Sequence, residues 1–328
     1  MAGTGALRPS QGPERPYNGI LDSDAKPRVL GQSSTGPVTE EPHPASTYLD
    51  ELPTSEILAL MNTADAEVPG AVAREIPRIA SAVEAIAAAL ESGGRLFYIG
   101  AGTSGRLGVL DASECPPTFN VPKDLVRGII AGGEAALIES SEASEDDPAA
   151  GARDLLDAGF AAGDVLVGIA ASGRTPYVLG AVAKARELGA ITCGISCTPD
   201  SELSRAVDYP IEPVPGPEIL TGSTRLRAGT ATKLVLNMIS TAVMIRLGHV
   251  YGNLMVNVQP SNRKLEARSV RIIQQAAGVS YERATELLEH AGRSVRTAIV
   301  MEKRRVNREE AERLLAAAHG RISEAIKA

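Results

Sequence analysis

The stretch Leu96-Phe-Tyr-Ile-Gly-Ala-Gly-Thr-Ser-Gly-Arg106 runs from four apolar residues straight into a turn rich in glycine and hydroxyls. An apolar run this short, ended by such a turn, reads as a buried strand followed by a helix start. Glycines let the backbone approach an anion closely, and the helix start offers unpaired N–H groups and a positive dipole end. Similar apolar runs recur at Val126–Ala131, Val165–Ala170 and Ile191–Ile195, with helical patterns between them at Leu107–Ala112, Ala149–Ala158 and Pro176–Leu188. Strand runs that lack polar alternation and are separated by helices predict a parallel sheet buried on both faces. The fold class is therefore doubly wound α/β.

In open α/β sheets ligands bind beyond the carboxyl ends of the strands. A second strand end stands out there, Ala171-Ser-Gly-Arg-Thr-Pro176, which supplies two hydroxyls, an arginine and a proline suited to a first helical turn. Gly100 to Gly105 matches the dinucleotide pattern G-x-G-x-x-G, but the acidic companion expected about 20 residues on is missing. Nor does the chain hold G-x-x-x-x-G-K-[ST], the loop of nucleoside triphosphate sites. Two hydroxyl-bearing loops on one sheet edge suit a compact phosphate on a polyhydroxylated body. Acids gather near the same edge. Asp111-Ala-Ser-Glu-Cys-Pro-Pro117 follows the first loop, with Pro116-Pro117 expected to break the helix and set the direction of Glu114. Gly132-Gly133-Glu134 then leads into Glu139, Glu142, Glu145, Asp146 and Asp147. Two carboxylates beside a phosphosugar can serve acid/base chemistry at carbon, one taking a proton α to a carbonyl and one protonating a leaving oxygen.

Around this core the chain is ordinary in texture. It has 328 residues, 33 basic and 40 acidic, and a net charge of −7, which argues against nucleic acid as a partner. Tryptophan is absent and aromatics make up 3%, so the core must be aliphatic and base-stacking platforms are excluded. Cys115, Cys193 and Cys197 are too few for a disulfide framework and lack companions for a zinc site, so they read as small buried hydrophobes and no metal is expected. His43 lies in a tail, while His249, His290 and His319 sit on or beside helices. No signal peptide or membrane span is legible, and the expected location is the cytoplasm.

Residues 1–45, rich in Gly, Pro, Ser and Glu, read as a disordered tail. Thr54 is expected to cap a short helix with Ile57, Leu58 and Met61, and Ile76, Ile79, Val83, Ile86 and Leu90 mark the next one. A long helix from Thr230 to about Leu247, apolar nearly all round, is expected inside. Residues 46–260 thus form the α/β domain. Residues 261–328 form a small helical one, in which positions 262–328 carry 14 basic and 9 acidic residues, with glycines at 278, 292 and 320 and an Asn307–Glu310 cap.

Three blocks resemble a known family. Tyr98 to Pro117, Gly168 to Tyr177 (Gly-Ile-Ala-Ala-Ser-Gly-Arg-Thr-Pro-Tyr) and Ala228 to Asn237 (Ala-Gly-Thr-Ala-Thr-Lys-Leu-Val-Leu-Asn) are similar to the bacterial N-acetylmuramic acid 6-phosphate etherases. The likeness runs from about Thr47 to the C-terminus. It implies the sugar isomerase fold, a flavodoxin-like three-layer sandwich with a parallel sheet, plus the small C-terminal helical domain. It further implies a lyase that cleaves the D-lactyl ether of the sugar phosphate by elimination across C2–C3 and then adds water, yielding N-acetylglucosamine 6-phosphate and D-lactate in peptidoglycan recycling. By the same resemblance Glu114 is the acid for the leaving oxygen, Glu145 the second proton-transfer group, and no cofactor is needed. Gly102, Thr103 and Ser104 of the first loop and Ser172, Gly173, Arg174 and Thr175 of the second are the expected substrate ligands, and a homodimer the expected assembly. The chain departs from the family pattern Thr-Glu-x-Arg-Asn, where Pro42-His43 stands in place of the usual Arg-Asn after Thr39-Glu40-Glu41. The alternatives are a sugar-phosphate isomerase, which Ala170 in place of the isomerases' first loop serine disfavours, and a phosphosugar-sensing regulator akin to glucokinase regulatory protein.

Overall fold

The computed structural model describes residues 36–139, 144–258 and 262–327. Three helices, α1 (Thr54–Asp65), α2 (Val68–Arg74) and α3 (Ile76–Glu91), precede the alternating region. This continues as β1 (Leu96–Gly100), α4 (Gly102–Phe119), β2 (Val126–Ile130), α5 (Pro148–Asp157), β3 (Val165–Ile169), α6 (Pro176–Glu187), β4 (Ile191–Ile195), α7 (Glu202–Ala206), β5 (Tyr209–Ile211) and α8 (Arg227–Arg246). All five strands are parallel, in the order β2-β1-β3-β4-β5. The order reverses between β1 and β3, so their carboxyl ends flank the crevice where such sheets take ligands.

Alternation along the strands divides the core into two layers. Leu96, Tyr98, Val165, Val167, Cys193 and Ile195 face one side with Ile79, Ile86, Val235 and Ile239 of α3 and α8. Phe97, Ile99 and Leu166 face the other with Leu155, Tyr177, Val178 and Val182 of α5 and α6. Both faces are apolar because both are covered, which is why polar alternation is missing from the sequence. The sheet, its two helical layers and the helical C-terminal region agree with the expected fold class.

Several local expectations change. The prolines at 116 and 117 do not break α4, which runs on to Phe119 and ends on Asn120 in the left-handed conformation, whose N–H reaches Pro116 O at 2.8 Å. They deprive the carbonyls of Ala112 and Ser113 of their amide partners, and the helix runs on for only two residues past Pro117. Thr54 is the first helical residue, behind Pro53, and not a cap, and Leu58 is exposed. Strand β5 was not anticipated; three residues with a central proline carry almost no strand signal and suit a sheet edge. Of the expected tail, residues 1–35 lie outside the described residues, while Gly36 to Ser46 hold two short 3-10 turns with Thr39 buried. Helix α8 is long and apolar enough to cross a membrane, yet 11 of its 20 residues are buried in the protein, so it is a core helix.

Beyond it lie five helices: α9 (Arg263–Ala277), α10 (Tyr281–His290), α11 (Val295–Arg304), α12 (Arg308–Ala317) and α13 (Ile322–Lys327). They enclose a separate aliphatic cluster that includes Val270, Ile273, Leu287, Ile299 and Leu315. Asn307 caps α12 as expected, accepting the Glu310 N–H at 2.9 Å, and Gly278 ends α9 with a φ of +77°.

Candidate active site

Register sets the two loops side by side: Gly100, the last residue of β1, pairs with Ile169, the last of β3. From β1 the chain turns directly into α4, whose first hydrogen bond runs from Gly105 N to Ala101 O at 3.1 Å. Ala101 holds the cap position with no acceptor on its side chain. The amides of Gly102, Thr103 and Ser104 therefore have no intrahelical acceptor, and at such a helix start an anion gains both hydrogen bonds and dipole. Gly102 needs its missing side chain, since its φ is +51° and a Cβ there would stand 3.3 Å from Glu145 Oε1. That contact also brings Glu145 to the first loop.

The second loop is bound into its surroundings. Gly173 (φ +68°) donates to Ala170 O at 2.9 Å and accepts from Leu203 N, and a Cβ on it would strike Ser201 at 2.2 Å. Arg174 N meets Ser172 Oγ at 3.3 Å, and Thr175 opens α6. Ser172 and Arg174 line a cavity of about 490 Å³ with Val38, Ser201 and Arg205. The hydroxyls of Ser196, Ser201 and Ser204 connect in one buried chain, at 3.0 and 2.9 Å, that braces this loop from β4 and α7. Only its serine-rich composition hinted at this support.

Glu145 is half-buried and its carbonyl accepts the Tyr177 N–H at 3.0 Å, so the start of α6 holds it near both loops. Glu114 is elsewhere. It lies 12 residues past Gly102 on α4, exposed, and at 1.5 Å per residue that is a rise of about 18 Å. Within one chain the structure brings Glu145, Gly102, Thr103, Ser104, Ser172, Gly173, Arg174 and Thr175 to the same sheet edge, and leaves Glu114 on another face. There it lines a cleft of about 240 Å³ between α4 and α8 with Leu110, Asp111, Lys233, Leu236 and Asn237. Asp111 accepts from Ser240 Oγ at 3.1 Å, and burial pushes its carboxyl up to about 6.

Helix α8, which forms the other wall, has Leu226 at its cap position, a residue with nothing to offer the free amides. Buried Glu218 takes their place, accepting from Arg227 N and Ala228 N, both at 2.9 Å. Burial raises its carboxyl and the two amides pull it back. Arg227, itself buried, donates to Pro217 O at 2.8 Å and to Glu67 Oε2 at 2.5 Å. Sequence reading missed Glu218; the signal was a helix start without a capping residue.

Comparison with known proteins places this architecture. The family model of the glucokinase regulatory protein N-terminal SIS domain matches residues 78–186, and that of the SIS domain matches residues 145–242. A phosphoheptose isomerase from Francisella tularensis aligns over 61% of this chain and 99% of its own, at 21% identity and a TM-score of 0.43. The sheet and its flanking helices are those of a SIS-domain protein. Two proteins named N-acetylmuramic acid 6-phosphate etherase are far more alike in sequence. One, from Rhizobium rhizogenes, is 53% identical over 89% of this chain and 95% of its own length. The other, from Aeromonas hydrophila, is 53% identical over 88% and 96%. The chain belongs to the N-acetylmuramic acid 6-phosphate etherase family.

Proposed function

We propose that this protein is a carbon–oxygen lyase that cleaves the D-lactyl ether of N-acetylmuramic acid 6-phosphate to N-acetylglucosamine 6-phosphate and D-lactate. The observation that carries the reading is identity above half with etherases along nearly their whole length, together with the motifs around Glu114 and the two loops. The phosphate is held by the helix-start amides of Gly102, Thr103 and Ser104 and by the loop of Ser172, Gly173, Arg174 and Thr175. With the sugar ring open, the C1 aldehyde acidifies the C2 proton. One carboxylate removes that proton while the other protonates the lactyl oxygen as the C3–O bond breaks. Water then adds at C3, restoring a hydroxyl where the ether stood. Glu145 beside the first loop suits the proton transfer at carbon, and Glu114 the leaving oxygen.

Both carboxylates must come within about 3 Å of atoms on neighbouring carbons. A rise of about 18 Å along α4 separates Glu114 from the loops of its own chain. This supports a homodimer in which one chain supplies the loops and Glu145, and its partner supplies Glu114 from an α4–α8 face that carries exposed Leu110 and Met238. We read residues 46–260 as the catalytic domain of a cytoplasmic enzyme and the helices after residue 260 as a separate domain.

The test is incubation with N-acetylmuramic acid 6-phosphate in ¹⁸O-water. D-lactate and a product carrying one ¹⁸O at C3 are expected. Saturable sugar-phosphate binding without lactate would overturn the reading in favour of a sensor, the reading to which the match with the regulatory-protein model lends support.

A further inference from the structure

The cleft between α4 and α8 carries a cation that the proton transfers do not use. Lys233 and Asn237 stand one turn apart on α8, opposite Asp111 and Glu114 on α4, and Leu110 and Leu236 complete the walls. Among the described residues Lys233 makes no ion pair with either acid, although its charge bears on Asp111. We infer that this cleft is the subsite for the leaving group, in which Lys233 binds the carboxylate of the substrate's D-lactyl moiety; the inference rests on the etherase reading.

The chemistry of the lactyl group matches the lining group by group. A lactyl group presents one carboxylate, one methyl and the ether oxygen. The leucines offer an apolar wall for the methyl, Glu114 faces the ether oxygen, and an ammonium with an adjacent amide donor suits the carboxylate. A cation suits this place, because the other titratable side chains of the cleft, Asp111 and Glu114, are acids and offer a carboxylate no positive partner. A volume of about 240 Å³ accommodates such a three-carbon acid and is small for a whole sugar phosphate, in keeping with a phosphate bound elsewhere.

Lys233→Met, Lys233→Arg and the wild type should be assayed on N-acetylmuramic acid 6-phosphate and on its lactyl amide, which lacks the charge. Wild type should prefer the acid. Lys233→Met should raise KM for the acid roughly 10–100-fold, the range for a lost charge-assisted hydrogen bond, and change the amide little, erasing the preference. Lys233→Arg should retain part of it. Equal losses on both substrates, or an unchanged preference in a variant with wild-type melting, would overturn the subsite alone. Failure of the wild type to release lactate from the acid would overturn the etherase reading, and the subsite with it.

Discussion

Asp111 shows how a single side chain can be held at a cost to the fold. Its carboxyl ordinarily titrates near 3.8 and is raised to about 6 by burial against the sheet. The folded protein therefore holds this proton more tightly than the unfolded chain, and stability falls as pH rises from about 4 through 6. Asp111→Asn keeps the acceptor for Ser240 and removes the charge. It should raise the melting temperature at pH 7.5, corresponding to roughly 2–3 kcal/mol, and change it little at pH 4. Melting curves at the two pH values decide this, and an equal shift at both would point to packing instead of charge. In the sequence Asp111 was visible as one acid among several; its burial was not, because that depends on α8 crossing α4 more than a hundred residues later.

At the scale of elements, the crossing of α5 and α6 is set by two glycines. A Cβ on Gly180 would lie 2.0 Å from Pro148 O, and one on Gly151 would lie 1.9 Å from Tyr177 O. Tyr177 also donates its hydroxyl to Asp154 at 2.7 Å and its N–H to the Glu145 carbonyl, so this crossing positions the Glu145 segment. Gly180→Ala gains helix propensity worth about 1 kcal/mol but pushes backbone against backbone. Overpacking of about 1–3 kcal/mol should win, lowering the melting temperature and, through Glu145, the turnover number. A more stable variant with unchanged turnover would refute the assignment. Strands β1, β3 and β4 were legible because each buries both faces. The continuation of α4 through Pro116-Pro117 was not, since a proline pair signals a break and only the position near the helix end makes it tolerable.

For the whole molecule, the separation of Glu114 from the loops of its own chain has a sharp consequence. Glu114→Gln and Glu145→Gln should each lower lactate release by about 10²–10⁴-fold. When the two variants are mixed into dimers, one of the two sites in each mixed dimer regains both acids, so roughly a quarter of wild-type activity should return. Mixed dimers that recover none would show that each chain uses its own pair. Sequence motifs named the acids and both loops, and the fold put eight of the nine expected site residues at one sheet edge. Motif spacing could not show that the ninth lies three turns down a helix, because a helix converts short separation in sequence into length in space.

The cap position of α4 has one more implication. Ala101 gives the helix start no side-chain acceptor, so the amides of Gly102, Thr103 and Ser104 receive no cap from that residue and lie ahead of the first intrahelical bond. Whatever anion settles there stabilises the folded state over the unfolded one, by about 2.7 kcal/mol at a hundred times its dissociation constant. Sugar phosphate should thus raise the melting temperature in a dose-dependent way, and inorganic phosphate less so. In a cell this would make the substrate a folding ligand, and the enzyme's lifetime against proteolysis would follow the supply of what it consumes.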